Sequence, residues 1–226
     1  MTHPLAGSLH DGAAALGVSL SDHQLRQLTE FADWLVKWNR VYNLTALRNP
    51  DEVLTHHLLD SLSVVGPLRR HLASIPPLEH APRLLDVGSG GGLPGIVLAI
   101  ACPEVSVTCV DAVAKKALFV TQVAAAVRIP NLRGVHARVE QLDTVYDVIT
   151  SRAFASLADF TAWSRQALAP AGVWMAMKGK RPDDEMADLR PSVEVFHVEP
   201  ARVPMLNAER CIVWLRPAQG QSAEST

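Results

Sequence analysis

Cysteine is scarce in this sequence. Cys102, Cys109 and Cys211 are three among 226 residues, they cannot all pair, and no C-x-x-C is present. That excludes a disulfide framework, argues against a zinc site and suits a reducing compartment. Long apolar runs are lacking too: no stretch of about 18 apolar residues occurs, so no membrane-spanning helix is expected. The segment from Met1 to His10 does not show the basic-then-apolar order of a secretory signal. Nor is there an excess of charge, since 21 Lys and Arg stand against 23 Asp and Glu, a formal net charge of −2. A protein that coats free nucleic acid is usually basic, so an RNA partner would have to be met by a local patch. What the chain does have is 48% apolar residues, enough for a sizeable core. Its length fits one large α/β domain carrying a small helical cap. Composition alone favours a cytoplasmic enzyme of small molecules.

The chain changes character near residue 80. Before it, Ser21 with Gln24 predicts a capping box, and Leu25, Leu28, Ala32, Leu35 and Tyr42 follow at helical spacing. A second helix is expected from Asn49-Pro50, with Val53, His57, Leu58, Ser61, Leu62 and Val65 on its repeat and Gly66-Pro67 as its stop. After Pro76, Pro77 and Pro82 the pattern alternates. Strands are expected over 83–87, 105–111, 132–137, 146–151 and 172–178, with helices over 94–101, 114–127 and 160–168. The strands 193–198 and 210–215 close the chain with no helix between them, which predicts an antiparallel hairpin at one edge. Such β-α alternation implies a mostly parallel, seven-stranded, Rossmann-like α/β sheet covered on both faces. The expected organisation is a helical extension (1–80), an α/β domain (81–216) and a disordered tail (217–226).

The strongest local signal runs from Leu84 to Gly95, LLDVGSGGGLPG, which leaves a buried strand and enters a helix. Ligands of α/β sheets bind at such a turn, where glycine permits tight backbone and close approach. Asp111 ends the next strand 23 residues after Gly88, and a carboxylate there can accept both ribose hydroxyls of an adenosine. Gly90-x-Gly92-x-x-Gly95 formally matches a dinucleotide fingerprint. In register with the strand, however, Asp86-x-Gly88-x-Gly90-x-Gly92 resembles the first motif of class I methyltransferases, whose loop wraps a methionine tail.

Further segments resemble one family. The glycine turn ending in Leu93-Pro94-Gly95, the run Ser151-Arg152-Ala153-Phe154-Ala155-Ser156-Leu157 and Met177-Lys178-Gly179-Lys180 look like the ribosomal RNA small-subunit methyltransferase G family, also called glucose-inhibited division protein B. Trp38-Asn39-x-x-Tyr42-Asn43-Leu44-Thr45 and His57-x-x-Asp60-Ser61 look like its helical extension. The resemblance implies methyl transfer from S-adenosyl-L-methionine to N7 of a guanine in 16S ribosomal RNA, within the small subunit. It implies cofactor contacts at Gly88, Leu93, the pair Val139-Glu140 and Arg152, to which the glycine register and the acid after the second strand add Gly90, Gly92 and Asp111. One departure is the extra glycine in Gly88-Ser89-Gly90-Gly91-Gly92.

Guanine N7 carries a free lone pair, so no base has to remove a proton and catalysis rests on positioning. Carbon-5 pyrimidine enzymes need a nucleophilic cysteine, whereas Cys102 ends a sheet helix and is expected to be structural. Arg152 is the one catalytic candidate, able to hold a carboxylate or to orient guanine by paired bonds. RNA contacts are expected at Lys37, Arg40 and Arg48 from the helices, and at Phe154, Arg165, Lys178, Lys180 and Arg181 from the sheet edge. Trp34, Trp38 and Trp163 are expected in packing, and the adjacent His56 and His57 as core or capping residues, with no metal. Two other functions share these features: a methyltransferase of a small molecule or protein, and a non-catalytic RNA-binding module.

Overall fold

A computed structural model describes residues 3–45 and 49–218. Helices α1 (Ala6–Ala15) and α2 (Asp22–Tyr42) open it. The capping box forms: the Ser21 hydroxyl accepts from the Gln24 N–H, and the Gln24 side-chain oxygen accepts from the Ser21 N–H at 2.9 Å. Helix α3 (Pro50–Val53), a π-helical stretch (Leu54–Leu59) and α4 (Asp60–Leu62) follow in succession. The chain then breaks at Ser63-Val64 and starts α5 (Val65–Ser74). Gly66-Pro67 therefore does not stop a helix but lies in the first turn of the next one. Proline is tolerated there because first-turn N–H groups have no helical acceptor.

Seven strands form one sheet in the order β3-β2-β1-β4-β5-β7-β6. They are β1 (Arg83–Val87), β2 (Ser106–Asp111), β3 (Leu132–His136), β4 (Tyr146–Arg152), β5 (Leu168–Lys178), β6 (Val193–Pro200) and β7 (Cys211–Pro217). The first five pair in parallel, while β7 runs antiparallel to both β5 and β6. This is the expected mostly parallel, seven-stranded, Rossmann-like sheet with its edge hairpin. Helices α6 (Gly95–Ala101), α7 (Ala114–Ala126), α8 (Leu157–Trp163) and α9 (Asp183–Ala187) complete the chain. The helix expected over 160–168 begins earlier and ends at Trp163. A short turn, Arg165–Ala167, then leads into β5, which starts at Leu168 rather than at Gly172. Pro217 pairs with Val193, and the Ala218 N–H donates to Ser192 O at 2.9 Å, so the sheet runs past 216. The rest of the expected tail, 219–226, lies outside the described residues.

Both sheet faces are buried. Leu84 belongs to one core and Leu85 to the other, the alternation of a doubly covered strand. The helical extension packs into the first core, with Trp38 5.3 Å from Phe119 of α7 between ring centroids. Gln24 donates to Ile100 O at 2.8 Å, and Gln27 to the carbonyls of Val127 and Arg128 at 3.1 and 3.0 Å. These glutamines satisfy carbonyls that the ends of α6 and α7 leave unpaired, which fixes the extension over the sheet.

Candidate functional site

The carboxyl ends of β1, β2, β4 and β5 converge on the glycine turn. Gly88 and Gly90 both have positive φ, 65° and 56°, which an L side chain adopts only at a cost. They serve different neighbours. A Cβ at Gly88 would run into the Phe154 ring, whereas one at Gly90 would have nothing nearer than 3.8 Å. The first glycine thus makes room for a side chain, and the second leaves open space for a ligand. Asp111 ties the turn to β2: its Oδ2 accepts from the Gly90 N–H at 3.0 Å and its Oδ1 from the Val113 N–H at 2.8 Å. A carboxylate has about four acceptor positions, so each oxygen keeps capacity for a ribose hydroxyl. Beneath the turn, Asp86 is fully buried and accepts from the Gly95 N–H at 2.9 Å. Burial pushes its carboxyl up to about 7, against the opposing pull of that bond and of Arg152.

Two cavities meet at Gly88, Lys116 and Ala153. The smaller, about 370 Å³, is lined by Asp111, Val139, Glu140, Phe154 and Trp163. Val139 is buried on the turn Val139–Gln141 after β3, and Phe154 meets Trp163 edge-on at 5.8 Å. An acid for ribose beside flat apolar walls suits an adenosine. The larger cavity, about 590 Å³, takes in Gly88, Gly90, Leu93 and Arg152, with Thr45, His57, Asp60, Lys178 and Arg210. Gly92 lies behind the turn, packed on Ile96 of α6.

Arg152 ends β4 at the wall of this larger cavity. Its Nη1 donates to His56 O at 2.7 Å and to Asp60 Oδ2 at 3.0 Å, and its Nη2 approaches His57 Nδ1 at 3.4 Å. The other oxygen of the buried Asp60 accepts from Arg210 Nε at 2.8 Å. One carboxylate therefore bridges two guanidinium groups, leaving a net positive cluster in which, among the described residues, some N–H donors of Arg152 are unused. His57 is buried, and its Nε2 lies 2.7 Å from Thr45 Oγ1. Burial first, and then the Arg152 charge, lowers its pKa to about 4, so the ring is neutral.

The expected RNA contacts do not all gather here. Lys37 and Arg40 line a separate groove beside His3 and Leu5, and Lys37 stands over the Trp34 ring at 5.6 Å. Arg165 is exposed and lines none of these cavities. Phe154 faces the smaller cavity. Lys178 reaches the larger one but is ion-paired with Glu185 at 2.7 Å. Lys180 and Arg181 border an adjoining groove. Arg48 lies outside the described residues. Cys102 is buried, and burial pushes its thiol up to about 11, which leaves it unsuited to nucleophilic attack. Sequence inspection missed Lys116, Asp60 as a bridging carboxylate, and Arg210; the His57-x-x-Asp60-Ser61 segment carried the one signal, and His57 is both core residue and Arg152 neighbour.

A sheet of this order with a nucleoside-sized cavity on its first glycine turn defines the Rossmann-like methyltransferase class. Solved structures agree on the fold. A SAM-dependent methyltransferase from Thiobacillus denitrificans, in complex with S-adenosyl-L-homocysteine, superposes with a TM-score of 0.52 at 13% identity, covering 82% of this chain and 97% of that one. A SAM-dependent methyltransferase from Aquifex aeolicus gives 0.52 at 13% identity, covering 76% and 96%. Closer relatives exist in sequence. The ribosomal RNA small subunit methyltransferase G of Acidovorax ebreus (strain TPSY) is 62% identical over 216 residues, 94% of this chain and 96% of its own length. That of Acidovorax sp. (strain JS42) is 63% identical over 213 residues, covering 93% and 94%. The family model for rRNA small subunit methyltransferase G matches residues 24–213. The chain belongs to that family, as its motifs suggested.

Proposed function

We propose that this protein transfers a methyl group from S-adenosyl-L-methionine to N7 of a guanine in 16S ribosomal RNA. The observation that carries the choice of target atom is the absence of a free base around Arg152 among the described residues. Both oxygens of Asp60 are held by arginines, and His57 is neutral with its ring nitrogens engaged. A nucleophile that must lose a proton would meet only weak acceptors in this cluster, since Asp60 is buried against two guanidinium groups and the lowered pKa of His57 makes its ring a poor base, whereas guanine N7 attacks as it stands. The bound cofactor supplies an electrophilic methyl on its sulfonium. The chain supplies position: Asp111 holds the ribose, Val139 and Phe154 flank the adenine, and the gap at Gly90 admits the methionine tail. The unused donors of Arg152 address the methionine carboxylate or the O6 and N7 edge of guanine. The positive cluster favours a polyanion over a neutral small molecule, and the intact turn speaks against a non-catalytic module. The substrate is met in the cytoplasm, in the small ribosomal subunit.

The test is transfer of labelled methyl to small-subunit RNA from cells lacking the protein, followed by nucleoside analysis. Label is expected in 7-methylguanosine. Label in another nucleoside would overturn the N7 assignment, and none in free RNA or subunits would sink the RNA substrate. Arg152→Ala is expected to lower the rate about a hundredfold or more with the fold retained, since misplacement alone costs that much.

A further inference from the structure

Beyond Arg210 the larger cavity opens into a groove of about 800 Å³, between the segment after β5 and the segment 201–210 that joins β6 to β7. The two spaces share Gly179, Ala201, Arg210 and Cys211, so the groove is an extension of the site along the same sheet edge. Its charge is one-sided. Lys180, Arg181, Arg202 and Arg210 line it, with Glu209 the one carboxylate among its lining residues. In a chain of net charge −2 such convergence is not the background composition. Arg181 is spent on Asp183 at 2.7 Å and Arg210 on Asp60 at 2.8 Å. Lys180 and Arg202 are exposed and have no ion pair among the described residues. The floor beneath them is apolar, with Val203 buried and Leu206 partly so.

We infer that this groove binds the RNA strand flanking the target guanine, with Lys180 and Arg202 on successive backbone phosphates and the Val203–Leu206 floor under a sugar or base. This rests on the RNA substrate proposed above and adds the path that the strand takes to reach Arg152. The physical reason is that unpaired cations along a groove attract a polyanion through counterion release, while an apolar floor tolerates any base face. Arg202 carried no signal in the sequence, because only the β6–β7 connection brings it beside Lys180.

The test pairs wild type with the double variant K180E/R202E, both sites being exposed. The KM for small subunits from cells lacking the protein should rise at least tenfold at ~0.1 M salt. The affinity for protein-free small-subunit RNA, measured by fluorescence anisotropy, should fall in parallel. Its salt slope should become shallower by about 2, near one for each phosphate that is no longer neutralised. Binding of S-adenosyl-L-homocysteine should stay as in wild type. Unchanged KM and RNA affinity in a variant that binds the nucleoside normally would overturn the groove assignment and leave the RNA substrate standing. Weaker subunit binding with unchanged RNA affinity would give the groove to a ribosomal protein and overturn it too. A wild type that neither binds nor methylates RNA in either form would bring down the substrate proposal itself, and the groove's occupant with it.

Discussion

The two halves of the site are built in opposite ways. The frame of the half proposed for adenosine is local: the glycine turn and Asp111 sit at the ends of two adjacent strands, where the Gly88 and Ser89 N–H groups donate to Val110 O and the Gly90 N–H donates to the Asp111 carboxylate, and only the walls at Val139, Phe154 and Trp163 come from further along the chain. The half around Arg152 is assembled from afar. Its carboxylate comes from α4, its histidine from the preceding π-helical stretch, Thr45 from the segment after α2, and its second arginine from the end of the segment that joins β6 to β7. Short-range construction tolerates removal of a single hydrogen bond, because the turn keeps its backbone shape. Long-range construction concentrates unlike charges in a buried place, so one residue can bring down several others.

Substitutions can break that contrast, and Asp60→Ala should do so most severely. It leaves two guanidinium groups facing each other without their shared carboxylate. Stability should fall by roughly 3 kcal/mol in urea unfolding, the low end for uncovering a buried charge since both arginines retain some exposure. Activity should fall with it, whereas Asp60→Asn, which keeps an acceptor, should lose less. Equal losses in the two variants would mean that shape rather than charge holds the cluster.

Asp111→Ala comes next and should act on affinity more than on stability. Calorimetry with S-adenosyl-L-homocysteine should show weakening by roughly 1.5–3 kcal/mol, about ten- to a hundredfold. Unchanged affinity would remove Asp111 from the ribose. A pair of glycine variants separates ligand space from side-chain space. Gly88→Ala should cost about 2 kcal/mol of stability, through the positive φ and the displaced Phe154 ring. Gly90→Ala should cost about half that and instead weaken cofactor binding; the reverse ranking would exchange their roles.

The smallest effect is a pH dependence. The folded-state pKa of His57 is depressed to about 4 from 6.5, so as pH falls below 6.5 the unfolded chain takes up a proton that the folded one refuses, and stability drops. Asp86 acts in the other direction: with its carboxyl raised to about 7, the folded chain keeps a proton that the unfolded one sheds, and stability falls as pH rises from about 4 to 7. The two oppose each other over the same interval. The difference between wild type and His57→Gln isolates one of them, and the variant should gain roughly 1 kcal/mol relative to wild type between pH 7.5 and 5.5. A flat difference would mean that His57 accepts a proton in the fold.

Much of this was legible beforehand. The strand from Arg83 to Val87 matches its expected bounds, because a short apolar run closed by glycines has few alternatives. The capping box at Ser21 and the edge hairpin are likewise local in origin. The misread places lie where local signals compete. Gly66-Pro67 reads as a stop, yet proline is also accepted in a first turn, and the break at Ser63-Val64 decided between the two. Tyr146 pairs with Leu168, so β5 begins before the Gly172 that looked like its start. Among the charged residues, Lys37, Arg40 and Arg165 look no different in sequence from Lys180 and Arg202. Their surroundings differ only after the chain has folded.

By itself the sequence determined the period of each element, the glycine turn and the acid one strand later, since these are set within a single β-α-β unit. Only the tertiary structure decided that Asp60 would bridge Arg152 and Arg210, that Phe154 would occupy the space a side chain at position 88 would need, and that Lys180 and Arg202 would face one groove. The physical reason is range: torsional preference and hydrophobic period act along the chain, whereas charge pairing and close packing act through space between residues as far apart as 60 and 210.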